Sequence, residues 1–126
     1  MAFPSPAKDY AEGRISLDKE LIQHPGATYF FRMENDSMLQ AFIPPGALLV
    51  VDYAETPKDR SIVLAAVNGE FIIRYLRQNG ERAWLAAANP RIPEIRMDGV
   101  MDITIVGVVI GVLIQHEKLP AHVRAC

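Results

Sequence analysis

The stretch ENDSMLQAFIPPGALLVVD, residues 34–52, joins a short polar turn to an apolar, β-prone run through a Pro-Pro-Gly turn. The polar turn presents one serine, Ser37, between Asp36 and Met38. A serine beside Asn and Asp usually stabilises a turn, because its hydroxyl bonds nearby backbone groups. The stretch alone therefore favours a structural role for Ser37, and a nucleophilic role would require a base elsewhere in the chain.

Short β-prone runs separated by turn signals continue on both sides of this stretch. The predicted strands cover residues 28–33, 48–52, 62–67, 70–77, 83–87 and 101–114, and residues 17–22 suit a short helix. Asn68-Gly69 is a strong hairpin signal, because both residues tolerate positive φ. Gly107 and Gly111 predict bulges or close backbone approach in the last run. The pattern predicts a mostly β domain.

Length and composition are those of one globular domain. The chain has 126 residues, of which 50% are hydrophobic and 22% charged. A net charge of −2 with scattered basic residues argues against direct nucleic-acid binding. The one cysteine, Cys126, allows no intrachain disulfide and favours a reducing compartment. No apolar run reaches the ~18–20 residues that span a bilayer, so we expect a cytoplasmic protein with no membrane contact.

The three histidines do not predict a metal site or a catalytic triad. His24, His116 and His122 are far apart and show no ligand spacing, so the sequence predicts no metal and no other cofactor. His24 directly precedes a proline, and the other two lie near the C-terminus. A Ser-His-Asp arrangement is therefore disfavoured, although geometry and not composition decides it.

Arg74 is a charged residue in an otherwise apolar predicted strand. By the two-residue period of a strand, it shares a face with Ile72 and Leu76. One interpretation is an edge position from which the side chain reaches solvent. The other is that the guanidinium points into a polar pocket on that face.

A dispersed set of residues resembles the UmuD family, whose fold is shared with LexA. The matching segments are FPSPA at 3–7, DY at 9–10, LIQHP at 21–25, ATYF at 27–30, DSM at 36–38, AAV at 65–67, GEF at 69–71 and GVVI at 107–110. The similarity covers nearly the whole domain. It implies a compact peptidase fold of short, strongly curved sheets over residues 15–114. An extended arm (1–14) and a flexible tail (115–126) would flank it.

The resemblance also implies a site and partners. Ser37 takes the position of the family's nucleophile, and Arg74 takes the position of its general-base lysine, in Glu-Phe-Ile-Ile-Arg at 70–74. Processed members of the family dimerise, join the UmuC polymerase as the translesion polymerase V of the SOS response to DNA damage, and are linked to the RecA filament. The resemblance thus implies a homodimer with a UmuC-like Y-family polymerase as partner.

Two departures from the family pattern bear on activity. The chain begins where the processed form begins, so we expect no self-cleavage substrate within it. Arginine stays protonated in proteins, whereas burial can neutralise a lysine, so Arg74 could bind an oxyanion but could not deprotonate Ser37. The leading hypothesis is a UmuD′-like binding subunit with weak or no peptidase activity. The alternatives are an active LexA-type endopeptidase and, last, a repressor fragment, which would need an upstream helix-turn-helix domain.

Overall fold

The computed structural model describes residues 16–116, and it contains one sheet of seven strands. The strands are β1 (Thr28–Arg32), β2 (Leu48–Asp52), β3 (Ile62–Val67), β4 (Glu70–Asn79), β5 (Arg82–Ala86), β6 (Ile95–Arg96) and β7 (Ile103–Leu113). A five-residue helix, α1 (Leu17–Leu21), precedes them, and short 3₁₀ turns cover Pro25–Ala27 and Leu39–Ala41. The prediction of a mostly β domain is confirmed. The predicted arm, and the tail beyond residue 116, lie outside the described residues.

All neighbouring strands are antiparallel, in the order β1-β2-β7-β3-β4-β5-β6. The Asn68-Gly69 turn joins β3 to β4 with φ values of 49° and 87°, as the hairpin signal predicted. β4 extends two residues past the predicted end at Arg77. β6 was not predicted: the sequence assigns no strand between residues 87 and 101, yet Ile95 and Arg96 pair with β5.

The glycines of β7 coincide with irregularities in its pairing. In the pairing with β2, Val50 faces Gly111 but the next residue, Val51, faces Val109, so the register shifts by one residue. The register with β3 shifts beside Gly107. A Cβ on Gly107 would lie 2.7 Å from Val51 Cγ1, which is closer than packed carbon atoms approach. The predicted bulges and close approach are therefore confirmed.

Two groups of buried side chains lie on the two faces of the sheet, because alternate residues of each strand point to opposite sides. One group contains Leu49 and Leu64, and the other contains Val63 and Leu76. The segment between β1 and β2 covers the first group with Met38 and Ile43, which are 0% and 1% exposed. The serine of the polar turn is thus adjacent to a fixed core residue.

Residues 16–116 contain no helix with the length and hydropathy of a membrane span.

Candidate active site

The polar turn holds Ser37 in a buried position. Asn35 Oδ1 accepts a hydrogen bond from the Ser37 backbone N–H at 3.0 Å, which is the local turn chemistry expected of asparagine. The Ser37 carbonyl accepts the N–H of Ala88 at 2.9 Å, so the turn is tied to the segment that follows β5. Ser37 itself is 1% exposed. Local and long-range bonds together fix the backbone that carries its hydroxyl.

Arg74 reaches this hydroxyl from β4. Its Nη1 donates to Ser37 Oγ at 3.0 Å and to the carbonyl oxygen of Ile73 at 2.8 Å. The side chain is 9% exposed, which rules out the interpretation that it extends into solvent. The two residues that the sequence singled out, 37 positions apart, are therefore in direct contact.

Arg74 is a buried cation that forms no ion pair with a carboxylate of residues 16–116. The ion pairs formed within residues 16–116 are His24–Asp52 and Arg77–Asp59, and neither includes it. Its Nε is buried and has no hydrogen-bond partner among the described residues. Burial lowers the pKa of the guanidinium, because a low-dielectric surrounding disfavours its charge. An arginine nevertheless stays protonated at neutral pH.

The protonation state decides what the contact can do chemically. A general base must accept the proton of Ser37 Oγ, whereas Arg74 is the donor of the hydrogen bond to that oxygen. A cation at this distance can stabilise negative charge that develops nearby, as an oxyanion site does. The arrangement thus retains a serine and an electrostatic stabiliser but lacks a base supplied by Arg74.

A small cleft lies beside the site. Its volume is about 150 Å³, and its walls include Asn35, Phe31, Phe71 and Ile73. Asn35 and Ile73 also bond to Ser37 and Arg74 respectively, so the cleft and the site share two residues. Ser37 does not line the cleft. Because Ser37 is almost completely buried, a group bound in the cleft would reach its Oγ only after neighbouring side chains had moved.

Sequence reasoning missed the partner of His24. Its Nδ1 lies 2.6 Å from Asp52 Oδ2, although 28 positions separate the two residues. The pairing of Thr28 with Asp52 in the sheet brings them together, and no local pattern signals that register. In the part of the chain that the structure describes, no histidine is hydrogen-bonded to Ser37, so the disfavoured triad is not formed there.

Comparisons with known proteins identify relatives along most of the chain. Residues 1–110 match the model of the family described as "Peptidase S24-like". Protein ImpA of Escherichia coli is 40% identical over 117 residues, which are 93% of this chain and 79% of that protein. Protein SamA of Salmonella typhimurium is 42% identical over 93 residues, 74% of this chain and 66% of that protein. A LexA repressor of Acidithiobacillus ferrooxidans is 37% identical over 113 residues, 87% of this chain and 55% of the repressor.

Proposed function

Since the chain belongs to the Peptidase S24-like family, we propose that it is a UmuD′-like subunit of an error-prone translesion polymerase. In this role it binds a UmuC-like Y-family polymerase in the bacterial cytoplasm during the SOS response to DNA damage. It acts as a homodimer, and the RecA filament is a further candidate partner. The matches to ImpA and SamA, which cover 79% and 66% of those proteins, support a member of the UmuD type.

The contact between Arg74 and Ser37 carries this proposal. A peptidase of this type needs a neutral amine beside the serine, and the guanidinium at 3.0 Å remains charged. The domain nonetheless keeps a packed core around the turn, with Met38 fully buried. A packed domain in which Arg74 cannot act as the base for Ser37 is better suited to binding than to hydrolysis.

Charge supports a protein partner over a nucleic acid. The net charge of −2 gives no basic surface for phosphates, and no direct DNA binding is proposed. Large apolar side chains are exposed instead, including Phe30, Phe42 and Phe71, which are 55%, 85% and 61% accessible in the isolated chain. Exposed aromatic residues are enriched at protein–protein contacts.

Co-purification tests the proposal directly. The tagged protein and the UmuC-like polymerase of the same organism are co-expressed and purified through the tag, and the mass of the complex is measured by light scattering. We expect the polymerase to elute with a dimer of this chain. The Ser37→Ala variant should co-purify equally well, because binding does not need the nucleophile. Absence of the polymerase from the eluate of both proteins would refute the proposal.

A second function, an active LexA-type endopeptidase, is favoured by one observation. Arg74 contacts Ser37 Oγ, so a base at position 74 would lie within hydrogen-bond distance of the hydroxyl. Incubation with a tagged UmuD-like precursor separates the two functions. We expect no cleavage by the unaltered protein and measurable cleavage by Arg74→Lys, with Ser37→Ala as the inactive control. Efficient cleavage by the unaltered protein would establish the second function instead.

A further inference from the structure

We propose that His24, Asp52 and Glu55 form a binding site for a divalent transition-metal cation of the zinc type. One ligand atom from each residue lies within 4.8 Å of the other two. The three residues come from the segment before β1, the end of β2 and the turn that follows it. The inference is independent of the proposed polymerase-binding function, since it concerns a different part of the domain.

The carboxylate of Asp52 is held in place before any cation binds. Its Oδ1 accepts the backbone N–H groups of Ala54 and Glu55 at 2.8 and 3.1 Å. Asp52 is 1% exposed, and its other oxygen, Oδ2, faces His24. Bonds of this kind around a ligand fix its orientation and reduce the reorganisation that metal binding requires.

The backbone of His24 is held in place from the other side of the site. Thr28 Oγ1 donates to the His24 carbonyl at 2.7 Å, and the N–H of Tyr53 donates to the carbonyl of Ala27 at 2.8 Å. These bonds hold the segment before β1 against the end of β2. The imidazole, whose side chain is 43% exposed, therefore borders both buried Asp52 and solvent. A cation and its remaining water ligands can approach from that side.

The same residues form a hydrogen-bonded pair when no metal is bound. The 2.6 Å between His24 Nδ1 and Asp52 Oδ2 is a charge-assisted hydrogen bond. Two ligands of a tetrahedral zinc ion lie about 3.4 Å apart, given metal–ligand bonds of roughly 2.0–2.1 Å. The pair must therefore open by somewhat less than an ångström, which rotation of the partly exposed imidazole allows. The cation takes the place of the shared proton.

Glu55 separates a metal site from a simple ion pair. Among the described residues, the Glu55 carboxylate forms no hydrogen bond to His24 or Asp52. Only the backbone N–H of Glu55 donates to Asp52. Two carboxylates facing one imidazole leave negative charge that a dication would neutralise. One nitrogen and two oxygens suit Zn²⁺, whereas Mg²⁺ and Ca²⁺ prefer oxygen ligands alone.

Zinc titration by calorimetry tests the inference. Every protein in the titration is the full chain with Cys126→Ser, and this single variant is the parent. The cysteine is replaced because a thiol is itself a strong zinc ligand. We expect one zinc ion to bind, with affinity reduced at least about tenfold in His24→Gln and in Glu55→Gln. Glu81→Gln, which neutralises an exposed carboxylate elsewhere, should bind as the parent protein does. Excess Mg²⁺ should not compete.

Three outcomes would overturn the inference. Equal zinc affinity in all four proteins would show that these residues are not ligands, as would a dissociation constant weaker than about 1 mM in the parent. Weakening by His24→Gln but not by Glu55→Gln would show that the pair acts without a third ligand. Circular dichroism spectra of each variant verify that it is folded.

Discussion

Arg74 Nη1 lies 3.0 Å from Ser37 Oγ and donates a hydrogen bond to it, so this charged side chain cannot accept the proton that the serine hydroxyl would need to lose. The contact joins β4 to the turn that follows β1. Both side chains are buried, and the guanidinium has no carboxylate partner in residues 16–116.

The hydrogen bond between the two residues should appear in a double-mutant cycle. Ser37→Ala alone removes an acceptor from a buried cation, and bonds to charged groups contribute about 1.5–3 kcal/mol. Ser37→Ala combined with Arg74→Met removes both polar partners, and replacing both is often nearly neutral. We therefore expect the double variant to be more stable than Ser37→Ala. Urea unfolding of the four proteins measures the coupling, and strictly additive losses would contradict it.

Gly107 should tolerate no side chain. A Cβ there would lie 2.7 Å from Val51 Cγ1 and 3.1 Å from the carbonyl oxygen of Asp52. Relieving such overlap typically costs about 1–3 kcal/mol, so Gly107→Ala should lower the free energy of unfolding by that amount. Gly111→Ala in the same strand is the matched control, because its Cβ would meet nothing closer than 3.5 Å. Equal effects of the two substitutions in urea unfolding would show that the packing at β2 is looser than described.

Asp59 should contribute stability that depends on pH. Its pKa is lowered chiefly because its Oδ1 accepts the N–H of Gln78, with a smaller contribution from Arg77. A carboxyl group whose folded pKa is depressed stabilises the protein above its unfolded pKa, and this contribution disappears as the pH falls through the folded value.

The unfolded pKa of an aspartate is about 3.9, so the loss should begin near that pH and continue below it. Asp59→Asn removes the titration, and its stability should therefore fall less steeply between about pH 5 and pH 2. Chemical unfolding at several pH values measures both slopes. Parallel slopes for the two proteins would indicate that Asp59 titrates alike in the folded and unfolded states.

Local signals predicted much of the fold. The Asn68-Gly69 hairpin, the strand Leu48–Asp52 and the irregularities beside Gly107 all depend on residues close in sequence. The two-residue strand β6 was missed because Pro93 interrupts its segment and it offers too few residues for a periodic pattern.

Long-range contacts were not predictable in the same way. The sequence left open whether Arg74 reaches solvent or a polar pocket. Strand periodicity indicates which side of the sheet a side chain is on, but not which segment packs against that side. The structure shows that the guanidinium is buried and contacts the hydroxyl of Ser37. The contact of His24 with Asp52 depends on the register of β1 against β2, which no local motif encodes.

The reactivity of Ser37 towards a fluorophosphonate probe tests most directly the claim that the site lacks a base. Labelling is followed by mass spectrometry at Ser37 in the unaltered protein and in Arg74→Lys, with Ser37→Ala as the unlabelled control. General-base assistance contributes about 10²–10⁴-fold. We predict labelling of Arg74→Lys at least about 10²-fold faster than that of the unaltered protein. Labelling of the unaltered protein at the same rate as the lysine variant would contradict the account.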